Sequence, residues 1–180
     1  MVQDPKLSYL ESAEGLDFYR FRCRLFRYFY LPMAYYEKLP TRMLRETIDY
    51  VRGNYAVIYA FRDQTPVGYG VVTRGGARNR FCTKADAVLC SIWVQPDERG
   101  KGYSKPLIRV LAKFASASAR DVYEYINLNN IPSIRAAEAA GLRLSGKARH
   151  RGLLQSIVSD ENGTHGIYRL RRESDGEQSL

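Results

Sequence analysis

Between Leu16 and Leu25 the chain alternates: Tyr19, Phe21, Cys23 and Leu25 fall on one face, Arg20, Arg22 and Arg24 on the other. A period of two with one apolar face predicts a half-buried strand. Phe26 to Lys38 is aromatic-rich and predicts a helix ending before Pro40, with Pro32 interrupting it. Thr41 caps a further short helix in which Leu44, Ile48 and Val51 share one side and Gly53-Asn54 closes the end. Tyr55–Phe61 and Val67–Thr73 read as a hairpin around a turn rich in polar residues and proline, and Ala85–Val94 is a mostly apolar run, as expected of a strand buried on both faces. After a glycine-rich turn, Leu107, Leu111 and Phe114 recur at helical spacing from about Ser104. Val122–Leu128 is strand-like, Asn130-Ile131-Pro132 opens an alanine-rich helix closed by Gly141, and Leu142–Val158 and Thr164–Leu170 read as two final strands around Asp160-Glu161-Asn162-Gly163. The order of elements is mixed α/β.

Length and charge narrow what this pattern can do. One domain is expected from 180 residues, covering 16–170, with an N-terminal extension at 1–15 and a disordered tail at 171–180. An apolar fraction of 45% with 26% charged residues excludes wholesale disorder. No apolar run approaches the roughly 20 residues of a membrane span, and Met1–Leu10, which holds Asp4 and Pro5, lacks the apolar stretch of a secretory signal. Cys23, Cys82 and Cys90 have no metal-ligand spacing and cannot all pair internally, so reduced thiols in the cytoplasm are expected. The net charge of +9 predicts an anionic partner and leaves nucleic acid, a phosphorylated cofactor and an anionic membrane surface open.

The turn Arg99-Gly100-Lys101-Gly102-Tyr103-Ser104, set between a buried strand and a helix, points to the second of these. Gly100 and Gly102 let an anion approach the main chain. Amides of the turn and of the first helical turn then point outward, where the helix dipole favours negative charge, and Arg99 and Lys101 add formal charge. Such a turn is a diphosphate cradle or, in the plainer reading, a solvated helix cap. Neither a P-loop nor a Rossmann glycine pattern is present.

Arg99-x-x-Gly102-x-Ser104, after Ile92-Trp93-Val94 and Pro96, resembles the acetyl-CoA signature of the GNAT N-acetyltransferase superfamily, Gln/Arg-x-x-Gly-x-Gly/Ala, from which Ser104 departs at the last position. Asn130-Ile131-Pro132-Ser133-Ile134-Arg135, followed by Ala140-Gly141-Leu142, is similar to that family's second segment. The resemblance implies a mixed, mostly antiparallel central sheet flanked by helices and splayed between its fourth and fifth strands, here Ala85–Val94 and Val122–Leu128. It implies acetyl-CoA as co-substrate, no metal, and direct transfer to a primary amine. The pantetheine arm would pair with the backbone at Ile92 and Val94, and the pyrophosphate would sit on the amides of Gly100, Lys101, Gly102, Tyr103 and Ser104 beside Arg99. Asn130 and Ser133 would bond the pantetheine or adenosine end, while Arg135 either reaches phosphate or is solvated.

Proton handling departs from the family pattern. The family's thiolate-protonating tyrosine falls at Ala137, and the strand that often carries a glutamate base has only Asp86, at its far end. Glu124 shares a face with Val122, Ile126 and Leu128. It is either a buried carboxyl with a pKa raised toward general-base use or the partner of a neighbouring arginine. Asp86 and Glu124 are thus the catalytic candidates. Cys90 reads as core, and His150 and His165 as structural, exposed or substrate-facing. The resemblance further implies that the first two helices wall the acceptor pocket, so that Tyr28, Tyr30, Tyr35 and Tyr36, beside Arg78 and Arg80, would line a site for an aromatic or anionic acceptor, either a small molecule or a protein amine. Two other readings stay open: a non-catalytic acyl-CoA-binding domain, and a basic nucleic-acid module, which the inward-facing alternation at 16–25 disfavours. Oligomeric state, monomer or homodimer, is open.

Overall fold

The computed structural model describes residues 2, 4–25, 27, 29–30, 47–51, 55–76, 78–152 and 156–170. The helix expected over Phe26–Lys38, most of the one capped by Thr41, and the tail 171–180 lie outside them; residues 47–51 are helical. Nine strands form one sheet among the described residues: β1 (Leu7–Ala13), β2 (Leu16–Phe21), β3 (Tyr55–Arg62), β4 (Thr65–Arg74), β5 (Ala87–Val94), β6 (Val122–Asn127), β7 (Leu142–Arg151), β8 (Ser156–Ser159) and β9 (His165–Leu170), in the order β1-β2-β3-β4-β5-β6-β9-β7-β8. Two helices, α1 (Ser104–Ser116) and α2 (Ile131–Ala139), cross over between β5, β6 and β7. Every pairing is antiparallel except β5 with β6. This is the mixed, mostly antiparallel α/β sheet expected from the sequence.

Three elements differ from the sequence reading. Leu7–Ala13, part of the presumed extension, is a strand paired with β2, so the strands expected to be fourth and fifth are β5 and β6. The strand expected to run to Leu25 ends at Phe21 and is buried on both faces, with Leu16 and Phe18 toward the helices and Tyr19 and Phe21 away from them. The run Leu142–Val158 is two strands, β7 and β8, paired as a hairpin.

The sheet has a different core on each face. Toward α1 and α2 lie Phe18, Ile58, Leu89, Leu107, Leu111, Ala137 and Tyr168. The opposite face of β2–β4 is aromatic, with Tyr19, Phe21, Tyr59, Phe61 and Tyr69, and Tyr30 and Trp93 pack onto it. Beyond β6 the sheet curls around a third cluster of Ala148, Ile157 and Ile167. The loop before β5 closes that curl, because Arg80 N–H donates to Ile157 O and Ile157 N–H to Arg78 O, both at 2.8 Å.

Helix α1 docks on β4 through Leu111, which is wholly buried above Gly70; a Cβ at position 70 would collide with it. Leu111→Ala opens a cavity that the surrounding strands cannot close, and should cost about 2–5 kcal/mol in denaturant unfolding.

Candidate active site

The geometry that matters begins with a parting of strands. β5 and β6 pair only at Ala87–Val122, Val88–Tyr123 and Leu89–Glu124. Past that point β5 remains bonded to β4 and β6 to β9, and a gap opens between them. A bulge bends β5 where they separate: its register against β4 shifts between Cys90 and Trp93, and Ser91 takes φ of 52°. Ile92 and Trp93 are half-buried beside the gap and Val94 is buried.

At the open end of β5 a 3-10 turn, Pro96–Glu98, leads into the glycine turn. Gly100 and Gly102 have φ of 80° and 82°, conformations that side chains with a Cβ rarely adopt. They give the turn its shape and direct it into α1, whose N-cap, Tyr103, makes no side-chain capping bond. The first amides of α1 therefore lack a side-chain acceptor. A Cβ at position 100 or 102 would meet nothing within 4 Å, so the space around both glycines is open to an anion.

The cations of the turn are arranged in a way the sequence did not reveal. Glu98 holds Arg62 by two bonds of 2.9 Å, and its Oε2 also accepts from Lys101 Nζ at 2.9 Å. Arg62 Nη1 donates in addition to Tyr103 Oη at 2.9 Å. The lysine bond and the guanidinium hold the Glu98 carboxyl below its ordinary range. This network staples the glycine turn to the β3–β4 hairpin. Arg99 folds back, its Nε donating to Val94 O at 3.2 Å, so its charge sits over the end of β5.

At the start of α2, Asn130 Oδ1 accepts from Ser133 N–H at 3.3 Å, which makes Asn130 the helix cap. Asn130 is exposed, Ser133 half-buried and Arg135 exposed.

The two catalytic candidates separate sharply. Glu124 is 6% exposed, faces the helices between Val122 and Ile126, and closes the paired part of the two strands. Its Oε2 is buried with no hydrogen-bond partner, and no arginine among the described residues pairs with it. Burial pushes its pKa up to about 8. At neutral pH it is a carboxylic acid, suited to giving a proton. Asp86 is engaged elsewhere. Burial alone would raise its pKa, but the Thr83 amide and hydroxyl and Arg120 outweigh that and hold it below the ordinary range. Oδ2 accepts from Thr83 N and Oγ1, each at 2.8 Å, and Arg120 bonds both oxygens. Asp86 ties a loop to the closed end of β5, away from the gap, and its oxygens are occupied.

Of the other residues singled out, Cys90 packs against the aromatic face, and burial pushes the Cys82 thiol up to about 12. Tyr28, Tyr35 and Tyr36 lie outside the described residues. Tyr30 donates to Asp4 Oδ2 at 2.9 Å as its ring packs on Tyr59. Arg78 lies with His150 and His165 around Tyr125. Arg80 is exposed. Among the described residues no three His, Cys, Asp or Glu side chains form a metal-binding group, and no helix is long and apolar enough to cross a membrane.

A parallel pair therefore parts beside a glycine-led helix N-terminus. The Acetyltransferase (GNAT) family model matches residues 19–142, and the chain belongs to that family. Solved structures share the fold. The RimL ribosomal L7/L12 α-N-protein acetyltransferase aligns with a TM-score of 0.61 at 11% identity over 91% of this chain and 93% of that one. A structure from Acinetobacter baylyi assigned to the acetyltransferases aligns at 0.55 and 22% identity over 81% and 76%. Salmonella typhimurium yncA, solved with acetyl-CoA, aligns at 0.53 and 19% identity over 72% and 71%. No curated protein gave a significant match.

Two substitutions distinguish the carboxyls. Native Glu124 keeps its proton to about pH 8, whereas an unfolded chain releases it near 4.5. The native state therefore holds the extra proton across that window, and stability falls as pH rises through it, by up to about 1.4 kcal/mol per pH unit. Glu124→Gln should flatten this slope in denaturant titrations run from pH 5 to 8. Asp86→Asn should cost about 1–3 kcal/mol of stability at neutral pH, with turnover per folded molecule unchanged.

Proposed function

We propose that the protein is a cytoplasmic N-acetyltransferase that moves the acetyl group of acetyl-CoA directly to a primary amine. The observation that carries this reading is the coincidence of the β5–β6 gap with the glycine-relaxed, side-chain-uncapped N-terminus of α1. The three cysteines form no disulfide, in keeping with a reducing compartment.

When bound, acetyl-CoA supplies an acetyl carbonyl activated as a thioester. The amides of Gly100, Lys101, Gly102, Tyr103 and Ser104 converge on the pyrophosphate, where the dipole of α1 favours its charge. Arg99 and Lys101 add formal charge, Lys101 by turning from Glu98. The backbone of Ile92 and Val94, on the stretch of β5 that β6 leaves unpaired, offers a strand edge to the amides of the pantetheine arm. A backbone N–H near Ile92 polarises the acetyl carbonyl, a role that needs no particular side chain. Asn130 and Ser133 lie at the start of α2, where Ser133 Oγ and the Asn130 amide nitrogen can bond the cofactor's polar groups.

Glu124 completes the set. Ala137, on α2 where the family carries a phenol, packs in the buried cluster that holds Val122 and Ile126 on either side of Glu124, and a carboxyl neutral at pH 7 can donate to the departing thiolate. Its role is then that of an acid and not of the base first expected from its position.

Acetyl-CoA should raise the melting temperature, because it binds only the native state. Arg99→Ala with Lys101→Ala should weaken binding by roughly tenfold or more, since charge-assisted bonds to phosphate are lost, while leaving the unliganded fold intact. An unchanged melting temperature at saturating acetyl-CoA would overturn the assignment. Binding without thiol release across a broad amine panel would instead mark a non-catalytic acyl-CoA receptor.

A further inference from the structure

On the sheet face opposite α1 and α2, four side chains from four segments meet beside the gap. β6 contributes Tyr125, the first residue past its pairing with β5. β9 contributes His165, opposite Asn127, and β7 contributes His150. The imidazoles lie edge to face with centroids 4.9 Å apart, each 6.1 Å from the Tyr125 ring. The loop before β5 contributes Arg78, whose Nη2 donates to Tyr125 Oη at 3.3 Å. Arg78 Nε is buried and has no hydrogen-bond partner. Backbone bonds from residues 78 and 80 to Ile157 fix the arginine in place.

Among the described residues no ion pair joins a carboxylate to Arg78. Two imidazoles this close cannot both be comfortably protonated. Burial, and the charge of His150 beside it, keep His165 below the ordinary imidazole range. Thr164 Oγ1 lies 3.0 Å from His165 Nδ1, so with Nδ1–H donating there, Nε2 presents a lone pair. Nε is shut off from solvent, but the half-buried guanidinium as a whole has no carboxylate paired to it among the described residues, and an anionic group at its accessible end would offset its charge.

We infer that this cluster is the acceptor site, and that it takes an amine bearing a carboxylate or phosphate-type group near its nitrogen: Arg78 binds the anionic group and His165 Nε2 takes a proton from the ammonium. The inference rests on the acetyltransferase reading and supplies its acceptor side. The acceptor arrives as an ammonium ion. His165 accepts one proton, which frees the nitrogen lone pair to attack the acetyl carbonyl. A C–N bond forms and the C–S bond breaks. The nitrogen sheds a second proton to become an amide, the thiolate takes one up, and the net reaction releases one proton to solvent.

The test is NMR of the imidazole ring protons, assigned with His150→Gln and His165→Gln, in protein saturated with CoA. The probes are β-alanine, 2-aminoethylphosphonate and, as the control without an anion, propylamine. Both anionic amines, or one of them, should shift the His150 and His165 resonances saturably, and propylamine should bind at least about tenfold more weakly. The stronger of the two names the anion class. Arg78→Met, which keeps the packing of the stem, should erase the preference. The His165 titration midpoint should lie below the ordinary imidazole value and rise in His150→Gln. Histidines unmoved by either anionic probe, propylamine binding as well as they do, or a preference that survives Arg78→Met would overturn the inference. The acetyl-CoA melting shift, read on the same samples, separates the failures. A shift with unresponsive histidines sinks the acceptor site alone; no shift sinks the acetyltransferase reading beneath it.

Discussion

The structure depends on two parallel strands that are held together at one end and kept apart at the other. Three residue pairs join β5 to β6, and each strand then continues with its opposite neighbour only. A sheet ordinarily closes such a gap, because unpaired backbone groups are costly. The bulge at Ser91 prevents closure by placing an extra residue in β5 and turning it away from β6. What remains is a slot along which β5 and β6 exchange no ladder bonds, a feature that makes physical sense when another amide-bearing chain lies in it.

The same parting divides the chemistry between the two faces of the sheet. On the helix side the slot ends at the glycine turn, stapled through Glu98 to Arg62 and Tyr103, and its floor holds a carboxyl that burial keeps protonated. On the other side stand an aromatic layer and, at the rim, two imidazoles with a guanidinium behind them. The carboxyl and the imidazole pair thus lie on opposite faces of the sheet, in unlike environments. One is desolvated beside apolar core, and the other is grouped with a like-charged neighbour. Burial raises the carboxyl to about 8 and lowers the His165 imidazole from its ordinary value, so the usual order of the two groups is inverted.

Much of this was legible in the sequence, for local reasons. The hairpin of β3 and β4, the buried run of β5 and the helical spacing in α1 follow from hydrophobic period alone, and the turn at Gly100 and Gly102 from backbone freedom. The face on which Glu124 lies follows from alternation along β6. What could not be read depends on contacts between distant segments. Arg62 and Glu98 are 36 positions apart, and each looks like an ordinary turn residue until the fold joins them. Asp86 looked available until Thr83 and Arg120 were seen to occupy it. β1 was missed because Leu7–Ala13 is a half-polar edge strand with weak alternation. The two histidines are 15 positions apart on separate strands, and only the register of β7 against β9 makes them neighbours.

The central claim is that the unpaired stretch of β5 and the turn that follows it receive acetyl-CoA. Residue-resolved hydrogen exchange of the full chain, with and without acetyl-CoA, tests it most directly. The account predicts marked slowing at amides within Cys90–Val94 and Gly100–Ser104, with little change in the closed pairing of Ala87–Leu89. Exchange that is unchanged at both segments, or slowed only elsewhere on the molecule, would contradict it.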